Sequence, residues 1–145
     1  MTTYDQAAAG SLAPASNVQY AALILRVSMG ILFIAHAWLK IAVFTPSGTA
    51  GYFASIGLPA LFAYVTIAVE LLGGLALIAG FQTRWVSLAL VPVLIGAAYF
   101  GHGSAGFFFS NPNGGWEYPA FWAVALVVQS LLGDGAFALR NGSVR

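Results

Sequence analysis

Residues 20–43 read YAALILRVSMGILFIAHAWLKIAV. Coiled as a helix, that run is long enough to cross a hydrocarbon core of about 30 Å. Yet it holds Arg26, His36 and Lys40. Ionisable side chains at membrane depth are costly and mark function by default. His36 and Lys40 stand four residues apart, so a helix puts them on one face.

The rest of the chain agrees with a lipid environment. Its 145 residues are 60% hydrophobic and only 6% charged, against roughly 25% charged in soluble domains. A water-soluble fold with so little charge would expose too much apolar surface. The chain therefore reads as an integral membrane protein whose first partner is the lipid bilayer. A net charge of +1 gives no electrostatic footprint for nucleic acid. The absence of cysteine excludes disulfides, thiol redox chemistry, thiolate metal ligands and covalent c-type haem.

Four apolar stretches of spanning length occur, at about 20–43, 60–80, 84–101 and 118–139. The expected fold is an all-α membrane protein, a bundle of four transmembrane helices. Residues 1–19 lack the basic start of a secretory signal and read as a flexible tail. Residues 140–145 read as a second tail. Three connections separate the spans. TPSGTAGYFASIGLP (45–59) is rich in turn formers, and FQTR (81–84) makes a tight hairpin. GHGSAGFFFSNPNGGWEYP (101–119) is Gly- and Asn-rich but strongly aromatic. Trp and Tyr favour the membrane interface, so this last segment is expected to fold back there. Four crossings put the 81–84 turn and both termini on one side. Arg84, Arg140 and Arg145 fall on that side, and Lys40 on the other. The positive-inside rule then makes both termini cytoplasmic, in a bacterial or archaeal cytoplasmic membrane.

Helix rise converts position to depth. His36 lies roughly 10 Å from the outer end of its span, Lys40 roughly 4–5 Å, Glu70 roughly 15 Å and Gln129 roughly 16 Å. Arg26 and Asp134 lie roughly 25 and 24 Å in, near the cytoplasmic surface. Two pairings are expected: an Arg26–Asp134 structural ion pair, and His36 with Glu70, where His36 or Lys40 could be the cation that keeps the Glu70 carboxylate charged. His102 and Glu117 fall at the outer boundary.

Several motifs recur in order. Arg26, Gly30, Phe33, His36 and Lys40 form R-x-x-x-G-x-x-F-x-x-H-x-x-x-K, followed by IGLP at 56–59 and ELLGGLALIAGFQTR at 70–84. His102, GFFF at 106–109, GGWEY at 114–118 and GDGAFAL at 133–139 complete the set. Over residues 20–139 this resembles the DoxX family of small four-helix membrane proteins. The family's last span often closes on a Ser-Leu-Asp-like ending, where this chain has Ala138-Leu139-Arg140. The resemblance implies a four-helix bundle and a redox-linked role. The family name comes from a subunit associated with thiosulfate:quinone oxidoreductase, and other members are linked to quinone or catechol detoxification.

The residues themselves suggest a polar pocket in the outer half of the bundle. A quinone-like molecule needs a hydrogen-bond or proton donor beside an aromatic slot. His36 and Glu70 are the candidate catalytic pair, because imidazole and carboxyl groups exchange protons. Lys40 adds a donor. Phe33, Tyr99 and Trp122 are candidates for the slot, Gln129 for a deeper ligand contact, and His102 and Glu117 for the mouth. Bis-histidine haem is disfavoured, because His36 and His102 differ by roughly 10 Å in depth. A metal site is disfavoured because the ligand types are dispersed. The chain carries no electron-carrier motif, so quinone chemistry would require a partner that delivers electrons. The alternative is a non-catalytic membrane anchor or scaffold for a protein partner or a second copy.

Overall fold

The computed structural model describes residues 16–139; the tail residues 1–15 and 140–145 lie outside them. Every regular element among the described residues is helical.

Helix α1 spans Asn17–Trp38, three residues ahead of the expected start. Ser16 is the reason. Its hydroxyl accepts from Gln19 N, and the Gln19 side chain accepts from Ser16 N, a reciprocal cap. The buried face repeats every three or four residues: Ala22, Arg26, Met29, Gly30, Phe33 and Ala37. Helix α1 then widens into a π turn at Leu39–Val43, closed by the Phe44 N–H on the Leu39 carbonyl.

The turn-rich segment 45–59 holds a helix the sequence reading did not anticipate. Helix α2 covers Pro46–Ser55. Pro46 starts it, where a missing N–H costs nothing, and the Thr45 hydroxyl accepts from Gly48 N at 3.1 Å. Its ten residues are too few to cross a bilayer, and it packs on α3.

Helix α3 runs Leu61–Ala79 and ends at Gly80, whose φ of 73° permits the left-handed cap. Helix α4 runs Thr83–Gly96 and widens into a second π turn at Ala97–Gly101. A short 3-10 turn, Gly103–Ala105, follows. Helix α5 covers Glu117–Leu132. Helices of spanning length and hydropathy are Asn17–Val43, Leu61–Ala79 and Thr83–Gly101. The expected fourth span, 118–139, is helical only to Leu132. Its 16 residues rise about 24 Å, less than the hydrocarbon core of about 30 Å. Gly133, with φ 80°, ends it, and the Gln129 amide donates to the Gly133 carbonyl at 2.8 Å.

Helix α1 packs mainly on α3, and α4 on α5. The α1–α3 crossing is set by two glycines. A Cβ added at Gly30 would lie 2.7 Å from the Gly74 carbonyl oxygen, and one at Gly74 2.8 Å from that of Gly30. Such mutual approach of two backbones requires small residues. Phe33, Leu77, Leu90, Leu94, Trp122 and Leu126 fill the core between the two pairs.

Candidate functional site

The helix directions gather one set of ends: the C-terminal ends of α1 and α4, the N-terminal halves of α3 and α5, and α2 across them. Between them lies a cavity of about 890 Å³. Both π turns contribute lining residues, Leu39 and Lys40 from one and Ala97, Phe100 and Gly101 from the other. Widened turns of this kind recur at functional sites.

The charged part of the lining is an ion pair. Lys40 Nζ lies 2.9 and 2.8 Å from the two Glu70 carboxylate oxygens. Glu70 is buried, with a side chain 6% exposed against 16% for Lys40. The expected His36–Glu70 pairing is not formed: Lys40 reaches the carboxylate instead. His36 does not hydrogen-bond to Glu70: its Nδ1 pairs with the Leu32 carbonyl at 2.9 Å, one turn back on its own helix. Its ring meets Trp122 edge-on, with centroids 5.1 Å apart. Trp122 is held from the other side by Phe33, at 4.6 Å, and by Tyr118, at 5.8 Å.

His36, Lys40, Glu70, His102 and Trp122 all line this cavity. The remaining candidates do not. Phe33 is fully buried in the core and supports Trp122 from outside the cavity. Tyr99 is 73% exposed and points off the bundle. Glu117 is drawn to the loop, where its Oε1 accepts from Phe109 N at 2.7 Å. It lines a separate shallow groove with Phe107, Phe109 and Phe121. Gln129 is fully buried at the far end of α5, bonded to the turn that follows it.

The Arg26–Asp134 ion pair is not formed. Arg26, 1% exposed, donates from NH1 to the Leu77 and Ile78 carbonyls at 2.9 and 2.7 Å, and from NH2 to the Ala136 carbonyl at 3.1 Å. Asp134 instead accepts from Thr83 N at 3.3 Å. Carbonyls in the last turn of a helix run short of helical donors, and those of Leu77 and Ile78 take up the guanidinium that Asp134 was expected to hold.

Sequence reasoning missed the α2 side of the cavity: Thr49, Tyr52 and Phe53, with Ile56 and Leu58 just after the helix. The signal was present in Thr45-Pro46, a cap residue followed by proline at the first helical position. The aromatic segment before α5 closes on itself. Trp116 N and Glu117 N donate to the carbonyls of Gly106 and Phe107, while Phe108 and Phe109 stay exposed.

These features define a small helical integral membrane protein with an ion pair in an aromatic-lined cavity at one end of its bundle. The chain belongs to the DoxX family, whose profile matches residues 21–103. It is 44% identical over 75 residues to CatD of Bacillus subtilis (strain 168), a protein provisionally named an oxidoreductase. That match covers 52% of this chain and 54% of CatD. It is 35% identical over 80 residues to the inner membrane protein YqjF of Escherichia coli (strain K12), covering 55% of this chain and 60% of YqjF. The chain thus matches between half and two thirds of the length of these curated relatives. No solved structure matches it.

Proposed function

We propose that this chain is a redox-associated membrane subunit that binds a quinone-like molecule in the cavity between α1, α2, α3, α4 and α5. The observation that carries this reading is the Lys40–Glu70 pair, which opens onto a cavity walled mostly by Phe, Tyr, Trp and aliphatic groups, with His36, His102, Thr49 and Thr66 as its other polar lining. Ligand sites are mostly apolar, with a few convergent polar groups that fix orientation. The oxidoreductase name of CatD supports a redox role. The chain has no cysteine and no evident electron carrier, so its part is to hold the small molecule while a partner supplies electrons.

In this reading α5 and the 133–139 turn complete a fourth crossing. Both termini and the 81–84 turn face the cytoplasm of a bacterial or archaeal cell, and the cavity opens towards the outer side. A photoreactive azidoquinone, irradiated with the protein in nanodiscs, tests the reading. Label on the peptides that carry Phe100 and Trp122 is expected. Label confined to lipid-facing residues such as Ile24 and Leu131 overturns it.

The exposed aromatic loop favours a second reading, a non-catalytic anchor or scaffold. Phe107, Phe109 and Phe121 stand exposed in the groove that Glu117 lines, and Phe108 is exposed next to them in sequence, a surface for a partner protein or a second copy. Anchoring of that kind survives His36→Ala and fails when Phe108 and Phe109 are replaced by Ser.

A further inference from the structure

We propose that the cavity is built for the reduced, hydroxyl-bearing form of its aromatic ligand, a hydroquinone or phenol, whose hydroxyl donates to His36. The inference rests on the quinone-like reading above and adds which redox form is preferred.

The unused hydrogen-bonding capacity of the cavity floor carries the argument. Lys40 has three N–H groups, and all three have an acceptor within reach: the two Glu70 oxygens and, at 3.5 Å, the His36 carbonyl. The lysine therefore has no donor to spare for a ligand. His36 Nδ1 faces the Leu32 carbonyl at 2.9 Å. A carbonyl oxygen only accepts, so in neutral His36 the proton sits on Nδ1, and Nε2 is left as a bare acceptor. His102 repeats the pattern at the mouth, with Nδ1 on the Asn113 carbonyl at 3.1 Å.

An aromatic hydroxyl complements the bare acceptor on His36, because it can donate to Nε2. A quinone carbonyl only accepts and has no counterpart there. The tyrosine hydroxyls of the lining, Tyr52 and Tyr118, donate or accept and so do not discriminate between the two forms.

The test uses the full chain in nanodiscs, with equilibrium dialysis under anaerobic conditions against empty nanodiscs. The probes are tetramethylhydroquinone, tetramethylquinone and the dimethyl ether of the hydroquinone, whose oxygens accept but cannot donate. The hydroquinone is expected to bind roughly fivefold or more tightly than the other two, the worth of one hydrogen bond. In His36→Phe that preference disappears. The comparison of probes on the unaltered chain needs no variant to fold. Equal or tighter binding of the quinone overturns the preference and leaves the quinone-like reading standing. Binding of none of the three above empty discs overturns both.

Discussion

Lys40 and Glu70, thirty residues apart in sequence, meet in a two-point contact at 2.8 and 2.9 Å across the α1–α3 interface. Each charge is stabilised by the other, and the apolar walls around them offer little else. Removing one partner strands the other. Glu70→Leu or Lys40→Met alone is expected to cost about 3 kcal/mol, whereas the double replacement is expected to be near neutral. Chemical unfolding of the four proteins in one detergent measures the cycle. Additive single effects, with no recovery in the double variant, would show that the pair is not coupled.

The α1–α3 crossing should be equally intolerant of size. A methyl at Gly30 or Gly74 meets a backbone carbonyl of the other helix, which no side-chain rotation relieves. Gly74→Ala is expected to lower stability by about 2 kcal/mol and Gly74→Leu to prevent folding. At Gly96, where an added Cβ meets nothing, alanine is expected to be neutral or slightly stabilising. Melting temperatures of the variants in detergent decide it.

Arg26 joins three pieces of chain, because it donates to the end of α3 and to Ala136. Lysine lacks the planar fork. Arg26→Lys is expected to leave at least one of these buried carbonyls unpaired, at about 1–3 kcal/mol. The loss should localise. Hydrogen exchange is expected to quicken at Ala136 and Leu139, whose amides bond to the Gln19 and Ala79 carbonyls, and to change little in the middle of α4. A uniform change across the bundle would contradict a local role.

The 106–117 loop gives a fourth outcome. Glu117→Gln keeps an oxygen for the Phe109 amide and should leave the loop intact. Glu117→Ala removes that acceptor, and protease cleavage between Phe107 and Asn113 is expected to increase. Ligand binding should persist in both, because Glu117 stands outside the cavity. Lost binding in Glu117→Gln would place the carboxylate in the ligand site after all.

Much of this was legible in the sequence because hydropathy and helical period are local. The apolar runs located α1, α3, α4 and α5, and the four-residue spacing of His36 and Lys40 placed both beside the same cavity. Depth counting brought Glu70 within reach of that stripe. What the sequence hid depends on three-dimensional competition. Backbone carbonyls at the end of α3 outcompete Asp134 for Arg26, and a loop amide outcompetes the cavity for Glu117. Helix α2 escaped because its glycines and serines match a turn as well as a helix. Tyr99, a candidate for the slot, sits inside the π turn Ala97–Gly101, which breaks the helical period that would have carried it to the cavity.

The central claim is that the cavity beside Lys40 and Glu70 holds a small aromatic molecule. Native mass spectrometry of the protein released from its own lipids tests it most directly, comparing the unaltered chain with the Lys40→Met/Glu70→Leu double variant. The account predicts a small-molecule adduct on the unaltered chain that is absent from the folded double variant. A bare chain mass in both, with folding intact, would contradict it.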